Sequence, residues 1–246
     1  RNSILFDVAY DPWPSVLAAQ WLEADRLATQ FANGTIKLTT RQAYQLHGVI
    51  KSNLKRTIQE INEAAMDTIA ACGDVNRNVM CNPNPHLSHV HAAALKAAQD
   101  ISAHLTPNTG AYHEIWLDGE KVISSEQEEE PIYGKTYLPR KFKIAITGAT
   151  EDRAAIEWHD IGLRLLRDDE GQVGFKIYVG GGMGRTPIIG TLVREFLPWQ
   201  QIMNYLEAVV RVYNRWGRRD NLYKARIKIL VKAEGQRYID EVEAEF

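Results

Sequence analysis

The chain has 246 residues, enough for one large domain or two modest ones around a sizeable core. Hydrophobic residues make up 45% and charged residues 24%, and 29 Lys and Arg against 31 Asp and Glu leave a net charge of −2, which argues against a surface built for nucleic acid or anionic membrane and leaves local basic pockets open. Two cysteines, Cys72 and Cys81, are too few for a four-thiolate iron–sulfur or zinc site and read as reduced thiols of a cytoplasmic protein; no apolar run approaches a membrane span, and residues 1–10 lack the pattern of a secretory signal.

In chain order, residues 3–10 read as a strand, closed by the breaker Asp11-Pro12-Trp13-Pro14. Ser15 can cap a helix to about residue 31, with Leu17, Trp21, Ala24 and Leu27 near one face. After the Asn33-Gly34 turn signal, residues 35–39 and 42–46 read as short strands. A helix over 53–71 carries the stripe Leu54, Ile58, Ile61, Ala65 and Ile69. The order βαββα fits one side of a ferredoxin-like α+β layer, so the chain is divided into residues 1–72 and 73–246. The second segment opens with a turn-rich stretch at 74–85 and an Ala-rich helix at 86–105. A strand at 112–117, a hairpin turn at Asp118-Gly119 and a polar acidic loop at 124–130 follow. Strands come next at 141–147, 161–166 and 174–179, then the run Gly180-Gly181-Gly182-Met183-Gly184-Arg185. Helices at 198–216, 221–233 and 236–245 close a mixed α+β fold.

Cationic side chains gather in turns and strand edges. Arg41 lies in Thr39-Thr40-Arg41-Gln42 between two short strands, and Arg77 in the loop Asn76-Arg77-Asn78. Arg140, Lys141 and Lys143 stand in Leu138-Pro139-Arg140-Lys141-Phe142-Lys143 at the start of a strand. Two apart in a strand, Lys141 and Lys143 share one face, with Arg140 and Phe142 on the other. Like charges side by side repel unless an anion or solvent separates them. The run is therefore either an anion pocket, with forked Arg hydrogen bonds and compact Lys charge, or an exposed edge strand that Lys keeps from pairing. The Gly-rich run fits neither the P-loop nor the dinucleotide pattern; it permits close backbone approach to a large flat ligand, or a bulge. His86, His89 and His91 are neighbours, but His91 leaves the helical face of the other two, so they read as capping or surface residues and no metal ligand is assigned. His47, after the second short strand and before Gly48, reads as a core histidine or a carboxylate partner.

Together, Leu38-Thr39-Thr40-Arg41-Gln42, Gly73-Asp74-Val75-Asn76-Arg77-Asn78-Val79, Thr136-Tyr137 followed by the Leu138 to Lys143 run, and Val179-Gly180-Gly181-Gly182 resemble the sirohaem nitrite and sulfite reductase family, and within it the assimilatory sulfite reductase haemoproteins. The resemblance runs from about residue 16 to about 235 in consistent order, and Arg218-Arg219-Asp220-Asn221-Leu222-Tyr223-Lys224-Ala225-Arg226 resembles the segment that closes the first half of bacterial members. It implies a ferredoxin-like segment followed by a sirohaem-reductase segment. It implies sirohaem coupled to a [4Fe–4S] cluster and six-electron reduction of sulfite to sulfide in sulfate assimilation, with a flavoprotein subunit or a ferredoxin as electron donor. By the same resemblance Arg77, Lys141 and Lys143 hold the sulfite oxygens and help deliver protons, while Arg41, His47, Asn76 and Arg140 contact sirohaem carboxylates or line its pocket. The charges agree, since eight carboxylates and an anionic substrate need several cations to stand together. Lys143, where related nitrite reductases usually carry Asn, favours sulfite; a sirohaem nitrite reductase and a non-catalytic tetrapyrrole or anion-binding module are the alternatives. The family holds its cluster through four cysteines of a later half, and those are absent here. The resemblance is thus to a first half, with cluster ligands expected outside this chain. The family's opening strand also brings an Arg to the sulfite pocket, and Leu5-Phe6-Asp7-Val8-Ala9-Tyr10-Asp11-Pro12 has none.

Overall fold

The computed structural model describes residues 3–8, 16–66, 68, 73–107, 114–117, 120–124 and 130–246. Cys72, Ile69, the Asp11-Pro12-Trp13-Pro14 breaker, the Asp118-Gly119 turn and most of the acidic loop lie outside the described residues.

The first elements are β1 (Ser3–Val8), α1 (Ala18–Phe31), β2 (Ile36–Leu38), β3 (Tyr44–Ile50) and α2 (Lys51–Glu63), the βαββα order expected. Strand β3 is central and antiparallel to both neighbours, with Leu46 opposite Phe6 and Ile36. Ala24, Leu27, Ala28 and Phe31 recur at helical spacing along α1, which is why that face buries. They pack with Ile61 of α2 on Leu46 and Val49 of β3. Helix α1 starts after Leu17, whose N–H is capped by Gln20 Oε1 at 3.1 Å. Helix α2 stops at Glu63 instead of 71, because Ala65 turns to φ +54° and the chain leaves the helical path. Strand β3 runs on through His47 to Ile50, so His47 lies inside the strand and not after it.

The larger part is built from β4 (Met80–Cys81), α3 (His89–Leu105), β5 (Glu114–Leu117), β6 (Glu120–Ser124), β7 (Ile144–Thr147), β8 (Ile161–Arg167), β9 (Val173–Val179), β10 (Thr191–Pro198), α4 (Ile202–Trp216), α5 (Ile227–Glu234) and α6 (Gln236–Glu245). A five-stranded sheet has the order β10-β9-β8-β7-β4, parallel from β4 to β8 and antiparallel from β8 to β10. All four residues of β7 are buried, as an interior parallel strand requires. Ala94, Ala98, Ile101 and Leu105 of α3 and Leu206, Val209, Val210 and Tyr213 of α4 join Ile144, Ile146, Leu163 and Ile177 in one core. Strands β5 and β6 pair separately. Among the described residues no helix is long and apolar enough to cross a membrane.

Two differences from the sequence reading shape the site. Strand β7 begins at Ile144, not 141: Phe142 only bridges Asn76, and the Lys141 to Lys143 run lies ahead of the strand. Residues 191–198, which show no clean alternation, form β10, whose pairing with β9 shifts register twice.

Candidate functional site

Beyond the end of the sheet where β7 and β8 begin and β9 ends lies a cleft of about 1030 Å³. Nine cations line it: Arg41, Arg140, Lys141, Lys143, Arg153, Arg185, Lys224, Arg226 and Lys228. No Asp or Glu is among its lining residues. Trp158, Met183, Leu222 and Tyr223 add exposed apolar surface at the same cleft. A chain of net charge −2 has thus sorted positive charge into one cavity.

Arg41 is carried on the β2–β3 turn, where Thr39 N–H binds Ala43 O at 2.9 Å and Gln42 takes φ +59°. Its Nη2 donates to Asn78 O and, at 3.3 Å, to Ile144 O, and Asn78 Nδ2 returns a bond to Arg41 O. Its Nε and Nη1 are buried with no hydrogen-bond partner. Burial pulls its pKa down to about 10, opposed by Asp160 and reinforced by Arg77, which still leaves it charged at neutral pH.

Lys141 and Lys143 both line the cleft, as their spacing predicts, and Phe142 between them is fully buried. Burial lowers Lys143 to about 8, and the charges of Arg41, Lys141 and Arg226 push the same way against Asp160. Arg140 also lines the cleft, contrary to strict alternation: the backbone at Pro139 and Arg140 is not strand, and the guanidinium reaches Asp74 Oδ1 at 3.4 Å.

Asn76 and Arg77 stand behind this wall and do not line the cleft. Asn76 is buried, bridges Phe142 and receives no partner at Oδ1. Arg77 N–H donates to Phe142 O at 2.8 Å, and its guanidinium reaches Gly73 O at 3.4 Å. His47 stays on β3, 3.4 Å from Gln45 Oε1, and is not a cleft residue. His86, in the short turn 85–87 ahead of α3, and His89, at the start of α3, are exposed, and His91 is held by the Ser88 cap.

Several site residues went unassigned in the sequence. Asp160 is fully buried; Arg226 Nη2 donates to its Oδ1 at 2.7 Å and Lys143 N–H to its Oδ2 at 3.0 Å. Burial pushes its pKa up, and the Arg226 charge and hydrogen bond pull it back. Beside it, His159 Nδ1 faces Ala155 O at 2.9 Å, so the proton sits on Nδ1. Burial, then the Arg41 charge, depresses His159 to about 4, which makes it a neutral group among cations. The spacing Lys224, Arg226, Lys228 repeats the alternation of Lys141 and Lys143, and that was the signal available.

The Gly-rich run is explained by the protein's own backbone. A Cβ on Gly181 would lie 2.2 Å from Glu157 O, and one on Gly180, at φ +85°, 2.7 Å from Val231. Lys228 Nζ then ties the loop down, donating to Met183 O at 2.9 Å and Thr186 O at 2.6 Å. At Gly180 and Gly181 the close approach is thus between segments of the chain, while Gly184, where a Cβ would meet nothing within 4 Å, lines the cleft.

A family profile described as nitrite and sulphite reductase 4Fe-4S domain matches residues 96–245, more than half of the chain. The chain belongs to that family. A second profile, the nitrite/sulfite reductase ferredoxin-like half domain, matches residues 16–64, within the βαββα part. Among curated relatives, the sulfite reductase (NADPH) hemoprotein beta-component of Staphylococcus saprophyticus is 48% identical over 236 residues, 93% of this chain and 41% of that protein. The protein of the same name from Geobacillus thermodenitrificans is 47% identical over 90% of this chain and 40% of its own. The chain therefore spans about 40% of the length of these relatives. The structure of the Mycobacterium tuberculosis NirA protein matches with a TM-score of 0.76 at 24% identity, over 99% of this chain and 40% of that one. Dissimilatory sulfite reductase I matches with 0.69 at 12% identity, over 98% of this chain and 69% of that one. Both share the fold of this chain.

The cleft suits a large, flat, polyanionic group. Its apolar side chains can cover ring faces, its cations can meet carboxylates, and the buried Nε and Nη1 of Arg41 and Nε of Arg226 have donors to spare. A cluster is another matter. Cys81 is buried, its thiol pushed up to about 11, and among the described residues no group of three or more His, Cys, Asp and Glu can hold a metal.

Proposed function

We propose that this chain supplies the anion-holding half of a sulfite reductase that carries sulfite to sulfide by six electrons at sirohaem coupled to a [4Fe–4S] cluster, whose ligands lie outside the chain. The observation that carries this reading is a cleft with nine cations and no lining carboxylate, in a chain of this family. Residues 1–72 are read as the ferredoxin-like segment and 73–246 as the catalytic segment, in keeping with the two profile matches.

Sirohaem, when bound, would supply the iron at which sulfite is reduced. Arg41 and Arg140 are assigned to its carboxylates, because Arg offers planar, forked donors and Arg41 has two buried N–H groups in hand. Lys141 and Lys143 are assigned to the sulfite oxygens. Lys143, with a pKa near 8, is a proton donor tuned close to neutral pH, which suits oxygens that depart as water. Asn76 and Arg77 form the layer behind, where Arg77 adds positive field beside Arg41. His47 is left out of the ligand set because it stands on β3 away from the cleft. Sulfite, more highly charged than nitrite near neutrality, gains more from this concentration of cations.

Titrating the full chain with sirohaem and following the visible spectrum tests the reading. The native chain is expected to take up sirohaem. Arg41→Ala should weaken uptake by about tenfold, the scale of losing one charged hydrogen-bonding partner. Lys141→Ala with Lys143→Ala should leave uptake in place and abolish the spectral change on adding sulfite. No spectral change with the native chain, or identical uptake by a folded Arg41→Ala, would overturn it.

A further inference from the structure

Asp160, the residue ahead of β8, joins three walls of the cleft. Its Oδ2 accepts the Lys143 backbone N–H at 3.0 Å, its Oδ1 accepts Arg226 Nη2 at 2.7 Å, and its main-chain carbonyl accepts Gly180 N–H at 2.9 Å. It thereby ties together the Lys141 to Lys143 run, the residue that opens α5 and the first residue of the Gly-rich loop. The side chain is fully buried and is not among the cleft-lining residues, so a ligand in the cleft meets what Asp160 holds and not Asp160 itself. A carboxylate is expensive to bury unless it is paired and hydrogen-bonded. Here both oxygens are engaged, and the charge is felt at Arg41, Lys143, Arg226 and Lys228.

We propose that Asp160 is a positioning residue of the cleft: it fixes the Lys143 backbone and the Arg226 guanidinium, and it supplies the negative charge that lets the cations there stand together. Its functional meaning rests on the reading of the cleft as an anion site. The alternative is a carboxylate that merely staples the fold.

The two are separated by how Lys143 titrates. The charged groups acting on Lys143 are Arg41 from the β2–β3 turn, Lys141 from its own run, Arg226 from the start of α5 and Asp160 ahead of β8; His159, in turn, feels the Lys143 charge. Removing a negative neighbour lowers a lysine pKa, and removing a positive one raises it. The full chain with ¹³C-labelled lysine, without any added ligand, is titrated by NMR, and the Lys143 signal is identified by its loss in Lys143→Arg. From about 8 in the native chain, Asp160→Asn should move Lys143 down by about one unit and Arg226→Gln should move it up, a tenfold change in its protonation constant each way. A staple would loosen the wall in both variants and shift Lys143 in the same direction, toward the solvent value. That result, or no movement in either variant, overturns the proposal. If Asp160→Asn does not fold, Asp160→Glu, which keeps the charge, decides in its place: Lys143 staying near 8 supports the proposal, and a rise toward the solvent value or a fall sinks it. The titration needs no sirohaem, so failed uptake by the native chain would sink the anion-site reading and leave this result standing.

Discussion

At the scale of single residues, Lys143 is held against its own preference. An ordinary lysine loses its proton near 10.5; burial and the surrounding cations bring Lys143 to about 8. Below pH 8 the folded and unfolded chains both carry the charge, and the folded one bears the cost of it. Between about 8 and 10.5 the unfolded chain binds the extra proton, so this residue's contribution to stability rises with pH across that window. The full shift would amount to about 3 kcal/mol, and solvent reaching the cleft reduces it to about 1–2 kcal/mol. Lys143→Met is therefore expected to stabilise the chain at pH 7 by about 1–2 kcal/mol and to lose that advantage by about pH 10. Urea unfolding at the two pH values measures it; a lower midpoint at pH 7 would show that the charge stabilises the fold.

At the scale of elements, the turn from β9 into the Gly-rich loop is set by backbone against backbone. Gly181→Ala must move away from both Glu157 O and His159 O, carbonyls of the segment leading into β8, and is expected to cost about 2–3 kcal/mol. Gly184→Ala meets nothing within 4 Å and costs only its φ of +111°, about 1 kcal/mol. Thermal unfolding of the two variants tests the order, and equal losses would refute the packing argument. The same elements show what could be read in advance. Strands β8 and β9 and helices α3, α4 and α6 carry runs or stripes that announce them. Strand β10 does not, because two register shifts break the period that identifies a strand. Lys141 and Lys143 were legible as a pair from spacing alone. Asp160 was not, because a single acidic residue ahead of a strand gives no sign that it is fully buried between Lys143 and Arg226.

For the whole molecule, the question is what this chain can do by itself. Arg41 on the β2–β3 turn bonds Asn78 O and Ile144 O, and Gln42 Nε2 donates to Cys81 O at 3.1 Å, so the first sheet delivers a cation into a cleft built by the second. The cationic wall of the cleft is therefore assembled within one chain. The proposed reduction also needs an electron path. A [4Fe–4S] cluster needs four thiolates, and the sequence has two cysteines. Cys81 lies buried in β4 with its thiol pushed up to about 11, the wrong direction for a metal-binding thiolate. The chain spans about 40% of its curated relatives, which leaves room in them for what is missing here. This chain, given sirohaem, sulfite and reduced methyl viologen, is expected to hold sulfite and to form no sulfide above the protein-free control. Adding a polypeptide that carries the four cysteines should restore sulfide formation, and Lys143→Met should suppress it again. Sulfide from the chain alone would show that electrons reach the cleft without a cluster.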